Sequence, residues 1–472
     1  MTDIMMYGSA ILAVLLVIYM LIKQMDIKIT LFLIGIILMF IAIGMGKGIN
    51  VADFTSTGSV FLDPLLTIAD QFKSTLTSAG FIILLLGGYT AYMSYIKAND
   101  VTVNVLTKPI ASIKSVYILV PIVFLLGNLL SLVIPSASNL AIILLATLFP
   151  VLKKAGMSTL SAAAVIATSA TVIPTPLGGD NVAIAVELAK YPEFANLTVT
   201  DYVIRYHAII SIPTLIVMAI AHYFWQKHMD KKQGANRSEE EVVVKELTEI
   251  EGGKLFKTVY AILPIFPILL LIFVFILQSV SDVTIDISVE VATLFSFVLA
   301  IICEVIRHKG VKVVLDGTES FFKGMGGAMP IVALLVAASV FVTGLKSIGL
   351  IEALQSAMVS IHGSGLGFVL PLILVGLTAI IVILSGSGTA LFYAMVPLIV
   401  PLAVAAGISP IAVSVPMGLA GNLLRAVSPV AAVVMIVAGT VKYSPIEIVK
   451  RTSVPMIIGV IFMFVLSMIV LL

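Results

Sequence analysis

Charged residues make up only 11% of this 472-residue chain, whereas soluble globular domains carry about 25%. That shortage excludes an ordinary water-soluble fold. Cysteine occurs once, at Cys303 inside an apolar segment, so neither a disulfide framework nor a cysteine-based metal site can be built. The five histidines are scattered, and no pair has the spacing of a metal motif with an acidic partner, which argues against metal-dependent catalysis. Gly44, Gly46 and Gly48, and likewise Gly324, Gly326 and Gly327, have no Walker pattern after them; they read as turns or close helix packing and not as phosphate loops. A net charge of +2, with basic residues dispersed in short clusters, excludes nucleic acid as a partner.

What is abundant is apolar surface, at 60% of residues. Runs of about 20 residues, the length that crosses a hydrocarbon core of about 30 Å, recur along the chain. The first run begins with Asp3 and is not followed by a small-residue cleavage site, so it reads as a span and not as a signal peptide. With no transit, lipidation or retention motif in the sequence, the expected location is a bacterial inner membrane, spanned many times, with lipid as the surrounding partner.

The expected spans are 7–23, 28–46, 81–97, 158–190, 205–226, 259–278, 288–307, 328–346, 409–441 and 452–472. Two of them, 158–190 and 409–441, are interrupted by small and proline residues. Two further segments, 115–151 and 365–406, are too long for one crossing and are broken by small polar residues. Counting Lys and Arg near span ends puts Lys23, Lys97, Lys108, Lys153, Lys227, Lys232, Arg307, Lys442 and Arg451 on the cytoplasmic side. Both ends of 115–151 then face the cytoplasm, so that segment enters and returns; 365–406 does the same from outside. The Glu- and Lys-rich stretch 227–257 reads as a solvated cytoplasmic linker between two halves, 1–226 and 258–472.

The halves share one order of signals. Ser136, Ser138 and Asn139 lead to Pro150, to Gly156 and Ser158, and to a broken span around Pro174 and Pro176; Ser385, Ser387 and Thr389 lead to Pro401, to Gly407 and Ser409, and to a broken span between Arg425 and Pro429. Five spans in the first half start the second half from the opposite face. The fold class is therefore an all-α polytopic membrane protein, an inverted repeat of five spans plus one re-entrant hairpin each, with two broken helices. Paired broken segments in inverted repeats point to a midplane binding site with alternating access.

Non-helical backbone at membrane depth must line a cavity or be buried in protein. A helix starting just after each hairpin tip offers free N–H groups and a positive dipole end, which suit a carboxylate. The oxygens of Ser136, Ser138 and Asn139, with Gly178, are candidate Na⁺ ligands, and Ser385, Ser387 and Thr389 hold the matching places in the second half. The same residue types favour helix caps, and both roles can coexist. In the first broken span, Thr175 and Pro176 are candidates for substrate contact, and Gly178, Asp180 and Asn181 for ion coupling. A carboxylate such as Asp180 at that depth must be paired, protonated or bound to a cation; a cap neutralised by the helix dipole is the alternative. In the second broken span, Asn422, Arg425 and Ser428 are candidates for the substrate. Arg425 reads as the one arginine deep inside an apolar segment, with a planar fork suited to a carboxylate or, structurally, to a salt bridge with Asp180.

The residues from Gly88 to Met93, from Ala98 to Asp100, from Ala146 to Pro150, from Ala221 to Gln226 and from Val449 to Pro455 resemble the DcuC family of anaerobic four-carbon dicarboxylate carriers. That resemblance covers nearly the whole chain. It implies exchange, uptake or efflux of succinate, fumarate and malate, and a homodimer with scaffold and transport domains working as an elevator. From the residues themselves, Na⁺ or H⁺ is the expected coupling ion with no other cofactor, and the lack of a nucleophile-base pair or metal set argues against an enzyme. The first tip resembles a Ser-Asn-Thr carboxylate motif of the wider superfamily, carried over to Ser136–Asn139, whereas the second tip has no asparagine. A carrier for amino acids or peptides and a Na⁺/H⁺ exchanger are the competing expectations.

Overall fold

The computed structural model describes every residue except 1, 24, 52–53, 114, 135, 234–252, 282–284, 286, 309, 354–366 and 387. Among the described residues the secondary structure is helical, with no strand. Seven helices among the described residues are long and apolar enough to cross a membrane: Ile27–Gly44, Asp63–Tyr95, Val199–Lys232, Lys254–Val280, Val289–His308, Val311–Ser347 and Pro445–Leu471. Their apolar surfaces are exposed at residues such as Ile37, Ile216, Phe273, Phe295 and Ile461, as expected where the solvent is lipid.

Several helices outrun the apolar windows that announce them. The span expected at 81–97 is preceded by a further helix, Asp63–Thr75, joined to Phe81–Tyr95 through Leu76–Gly80 with a kink at Ser78 (φ −114°, ψ −117°). That helix carries Asp63, Asp70, Lys73 and several hydroxyls, which hide it from hydropathy although its backbone hydrogen bonds form as in any helix. The linker is likewise shorter than expected: Ala208–Gln233 runs past 226 and Lys254–Ile262 begins before 258. The linker residues between them lie outside the described ones.

Each long broken segment resolves into the same succession of elements. In the first half the expected hairpin segment holds the helices Val116–Leu130 and Ala137–Thr147, followed by Phe149–Lys154, a turn at Gly156, and two half-helices, Thr159–Ala167 and Gly179–Ala189. In the second half Val369–Ser385 and Gly388–Met395 form the hairpin, followed by Ile399–Ala406, a turn at Gly407, and half-helices Pro410–Arg425 and Ala432–Val441. Ser158 and Ser409 cap the first half-helix in each case, accepting from Ser161 N and Ile411 N.

Two groups of helices result. Glu319–Ser347 packs against Ile27–Gly44 and Phe81–Tyr95, while Ala208–Gln233 and Pro445–Leu471 pack together and against the broken spans. Lipid tails give apolar helices little reason to associate, so close approach through small residues supplies the contact. A Cβ on Gly344 would lie 2.8 Å from Gly35 O, and one on Gly324 would lie 2.4 Å from Ala91 Cβ and 2.6 Å from Gly87 O. Gly324→Leu is expected to destabilise the protein by at least about 1–3 kcal/mol through overpacking. Thermal melting of the purified protein checks this, with Gly326→Ala, which meets nothing within 4 Å, melting like the parent.

Candidate functional site

Between the two helix groups lies a cavity of about 670 Å³. One wall is Ile83, Leu86, Gly87, Thr90, Ala91, Ser94, Gly324, Gly327, Ala328 and Ile331; the other comes from the hairpin tips and broken spans. Six residues singled out in the sequence line it: Ser136, Asn139, Gly178, Asp180, Asn422 and Arg425.

The first broken span unwinds between Thr168 and Gly178. Pro174 and Pro176 cannot donate a backbone hydrogen bond, so the helix cannot be carried through them. The freed backbone groups are then taken up by side chains. Asn128, 2% exposed on the hairpin, accepts from Thr171 N at 3.0 Å and Val172 N at 3.1 Å and donates to Thr168 O at 3.2 Å. Asn181 donates to Ile173 O at 3.0 Å and Thr175 O at 2.9 Å, and Thr175 Oγ1 accepts from Leu177 N at 3.2 Å. Asn181 and Thr175 thus hold the loop open from within, buried behind the cavity wall.

Asp180 stands at the start of the second half-helix, half-buried. Its Oδ2 accepts from Asn422 Nδ2 at 2.9 Å and its Oδ1 from Asn181 N at 3.0 Å. A Cβ at Gly178 would meet Oδ1 at 2.7 Å, so only glycine leaves room for the carboxylate there. Arg425 reaches in the other direction, its Nη2 donating to Ala170 O at 2.8 Å across to the unwound segment. The expected alternative of an Asp180–Arg425 salt bridge is not what forms: an amide occupies the carboxylate and a carbonyl takes the guanidinium. Both charged groups line the cavity, where a solute anion and a cation would find them.

At the first tip, Ser136 Oγ accepts from Asn139 N at 3.4 Å, a cap, while both residues line the cavity. Ser138 is half-buried, and neither it nor Pro176 belongs to the lining. At the second tip, Gly386 takes φ +72° and lies against Val430 and Ala431, and a Cβ on Gly388 would stand 2.3 Å from Gly421 O. The tip therefore rests directly on the second broken span. Ser428 Oγ donates to Ile383 O at 2.8 Å, tying that span to the hairpin. Ser385 is buried, Thr389 falls within Gly388–Met395, and Ser387 lies outside the described residues.

Two residues escaped the sequence reading. Tyr393 lines the cavity and places its hydroxyl 2.9 Å from where a Cβ on Gly179 would be; nothing in an apolar helix marks one tyrosine. Asn128 had a signal, a lone amide in the apolar run Val116–Leu130. Sequence reasoning also left Arg451 among the charges near a span end, whereas it is 1% exposed and paired with Asp230 at 2.6 Å. A helix that starts at Pro445 carries Arg451 into the protein before the apolar run begins.

The chain is similar, over residues 6–472, to the family described as the C4-dicarboxylate anaerobic carrier, DcuC. It is 37% identical over 439 residues to the anaerobic C4-dicarboxylate transporter DcuC of Escherichia coli K12, covering 92% of this chain and 90% of that one. It is 38% identical over 438 residues to the probable anaerobic C4-dicarboxylate transporter DcuC of Vibrio cholerae, covering 92% and 91%. Among solved structures, Neisseria gonorrhoeae MtrF superposes with a TM-score of 0.62 at 17% identity, covering 94% of this chain and 95% of that one. Alcanivorax borkumensis YdaH does so with a TM-score of 0.66 at 14% identity, covering 94% and 98%. At such identities the likeness is one of fold.

Replacing Asn128 by Leu keeps the bulk but strips the partner from Thr171 N and Val172 N, while Thr168 O keeps the Thr171 hydroxyl at 3.1 Å. Each buried orphan costs about 1–3 kcal/mol, so Asn128→Leu is expected to lower the melting temperature sharply, read by thermal unfolding of the purified protein.

Proposed function

Because the chain belongs to the DcuC family of C4-dicarboxylate anaerobic carriers, and is thus a transporter in the bacterial inner membrane and not an enzyme, we propose that it moves succinate, fumarate or malate through the cavity described above. The observation that carries this reading is the convergence on one cavity of Arg425, Asn422, Asp180 and the first hairpin tip. Its volume of about 670 Å³ falls within the range of about 300–1,000 Å³ for small-molecule sites. Arg425 receives one carboxylate of the substrate through its fork of N–H donors, exchanging the Ala170 carbonyl for a charged acceptor. The other carboxylate meets the free N–H groups at the hairpin tips, beside Ser136 and Asn139.

Asp180 serves the coupling ion. Its carboxylate, held by Asn422 and Asn181, can bind Na⁺ together with oxygens near Ser136, Asn139 and Gly178, or carry a proton; either partner removes the cost of an isolated charge at membrane depth. The two halves form inverted repeats, with 115–151 entering from the cytoplasm and 365–406 from outside. The group built from hairpins and broken spans moves as an elevator past the group around Glu319–Ser347, and a second copy of the chain completes a homodimer.

Counterflow of labelled succinate in proteoliposomes, with imposed Na⁺ or proton gradients, tests the reading. Accumulation against succinate trapped inside is expected, with one of the two gradients stimulating uptake. Arg425→Ala is expected to raise KM for succinate at least about tenfold, the loss of a hydrogen bond to a charged group. Asp180→Asn is expected to abolish the response to the coupling gradient while exchange persists. Succinate uptake indistinguishable from empty liposomes would sink the proposal.

A further inference from the structure

Two of the stretches singled out in the sequence, 221–226 and 449–455, take no part in the cavity, yet they meet in the protein interior. Arg451 Nη1 lies 2.6 Å from Asp230 Oδ1. The same carboxylate accepts from Ser158 Oγ at 2.8 Å and from Ser161 Oγ at 3.0 Å. A charge pair so enclosed needs these further bonds, because desolvation otherwise cancels the attraction. For the same reason it adds little to stability over an apolar replacement, and fixing one arrangement of the chain is the better-attested use of such pairs.

Two arms leave the pair and end on either side of Arg425. Along the first, Thr452, next in the chain to Arg451, donates Oγ1 to Ala426 O at 2.6 Å, and Ala426 directly follows Arg425. Along the second, Gln226 Nε2 donates to Arg451 O at 2.9 Å and stands 3.4 Å from His222 Nδ1. The Arg451 carbonyl fixes that amide's orientation, so the ring nitrogen facing it accepts and the ring proton sits on Nε2. His222 Nε2 lies 3.2 Å from Thr168 Oγ1. The Thr168 carbonyl accepts from Asn128, whose Oδ1 holds Thr171 N and Val172 N. Ala170, enclosed between those anchors, is the residue on which Arg425 rests at 2.8 Å. His222, Gln226, Thr168 and Thr452 are all fully buried.

We propose that Asp230 and Arg451 form a positioning pair that sets where Arg425 presents its guanidinium in the cavity, and with it the affinity for a substrate carboxylate. The inference rests on the reading that Arg425 receives that carboxylate. Asp230 acts from the last turns of Ala208–Gln233 and Arg451 from the first turns of Pro445–Leu471, so the device joins the two halves of the chain at a point remote from the cargo.

The test uses the full-length chain in proteoliposomes, with labelled succinate for KM and maximal rate, and calorimetric titration of succinate on the detergent-purified protein for Kd. Asp230→Asn keeps the shape and removes the charge; it is expected to raise KM and Kd about tenfold with maximal rate little changed. Thr452→Val spares the ion pair and cuts only the tether to Ala426; it is expected to shift both constants in the same direction by a smaller factor, and it decides the matter if Asp230→Asn does not fold. In an Arg425→Ala background neither change should weaken binding further, since the effect runs through Arg425. Unchanged KM and Kd in both single variants, or shifts of full size in the Arg425→Ala background, overturn the proposal. If Arg425→Ala alone leaves KM and Kd unaltered, the role given to Arg425 falls first and this inference falls with it.

Discussion

Backbone that leaves the helix at membrane depth must find every hydrogen bond inside the protein, and that one constraint organises this structure. In the segment from Thr168 to Gly178 the amides and carbonyls turned away from the cavity recruit Asn128, Asn181 and Thr175. Each of these side chains is buried, because the groups they serve are. The opening that results places a carboxylate and a guanidinium beside a cavity without leaving either without a partner.

Much of this could be read from the chain before any coordinates. Shortage of charge and recurrent apolar runs pointed to the membrane and the helices, and the paired Pro, Gly and Ser signals fall where helices of both halves are interrupted. Ser136, Asn139, Gly178, Asp180, Asn422 and Arg425 were chosen because polar groups in apolar runs need a reason, and all six came together on one cavity.

What remained hidden follows from physics that a linear pattern does not carry. Helix ends escaped where a helix leaves lipid for water, since hydropathy falls there while hydrogen bonding continues, as at Asp63–Thr75. Arg451 escaped for the converse reason: counted as a loop charge by its neighbours Lys450 and Lys442, it is enclosed by two helices far away in sequence. The partners of Asp180 and Arg425 also could not be read, because opposite charges suggest each other, whereas the fold gives the carboxylate an amide and the guanidinium a backbone carbonyl.

The cavity's two walls differ in kind. The face contributed by Phe81–Tyr95 and Glu319–Ser347 holds no charged residue, only small and aliphatic side chains with Thr90 and Ser94. Such a surface offers an anion no charged partner and only two hydroxyls, so its hold on one is weaker than that of the opposite wall. In the movement proposed above, that wall would serve as a bearing, smooth by composition, against which a loaded carriage travels while its freight stays fastened to the opposite side.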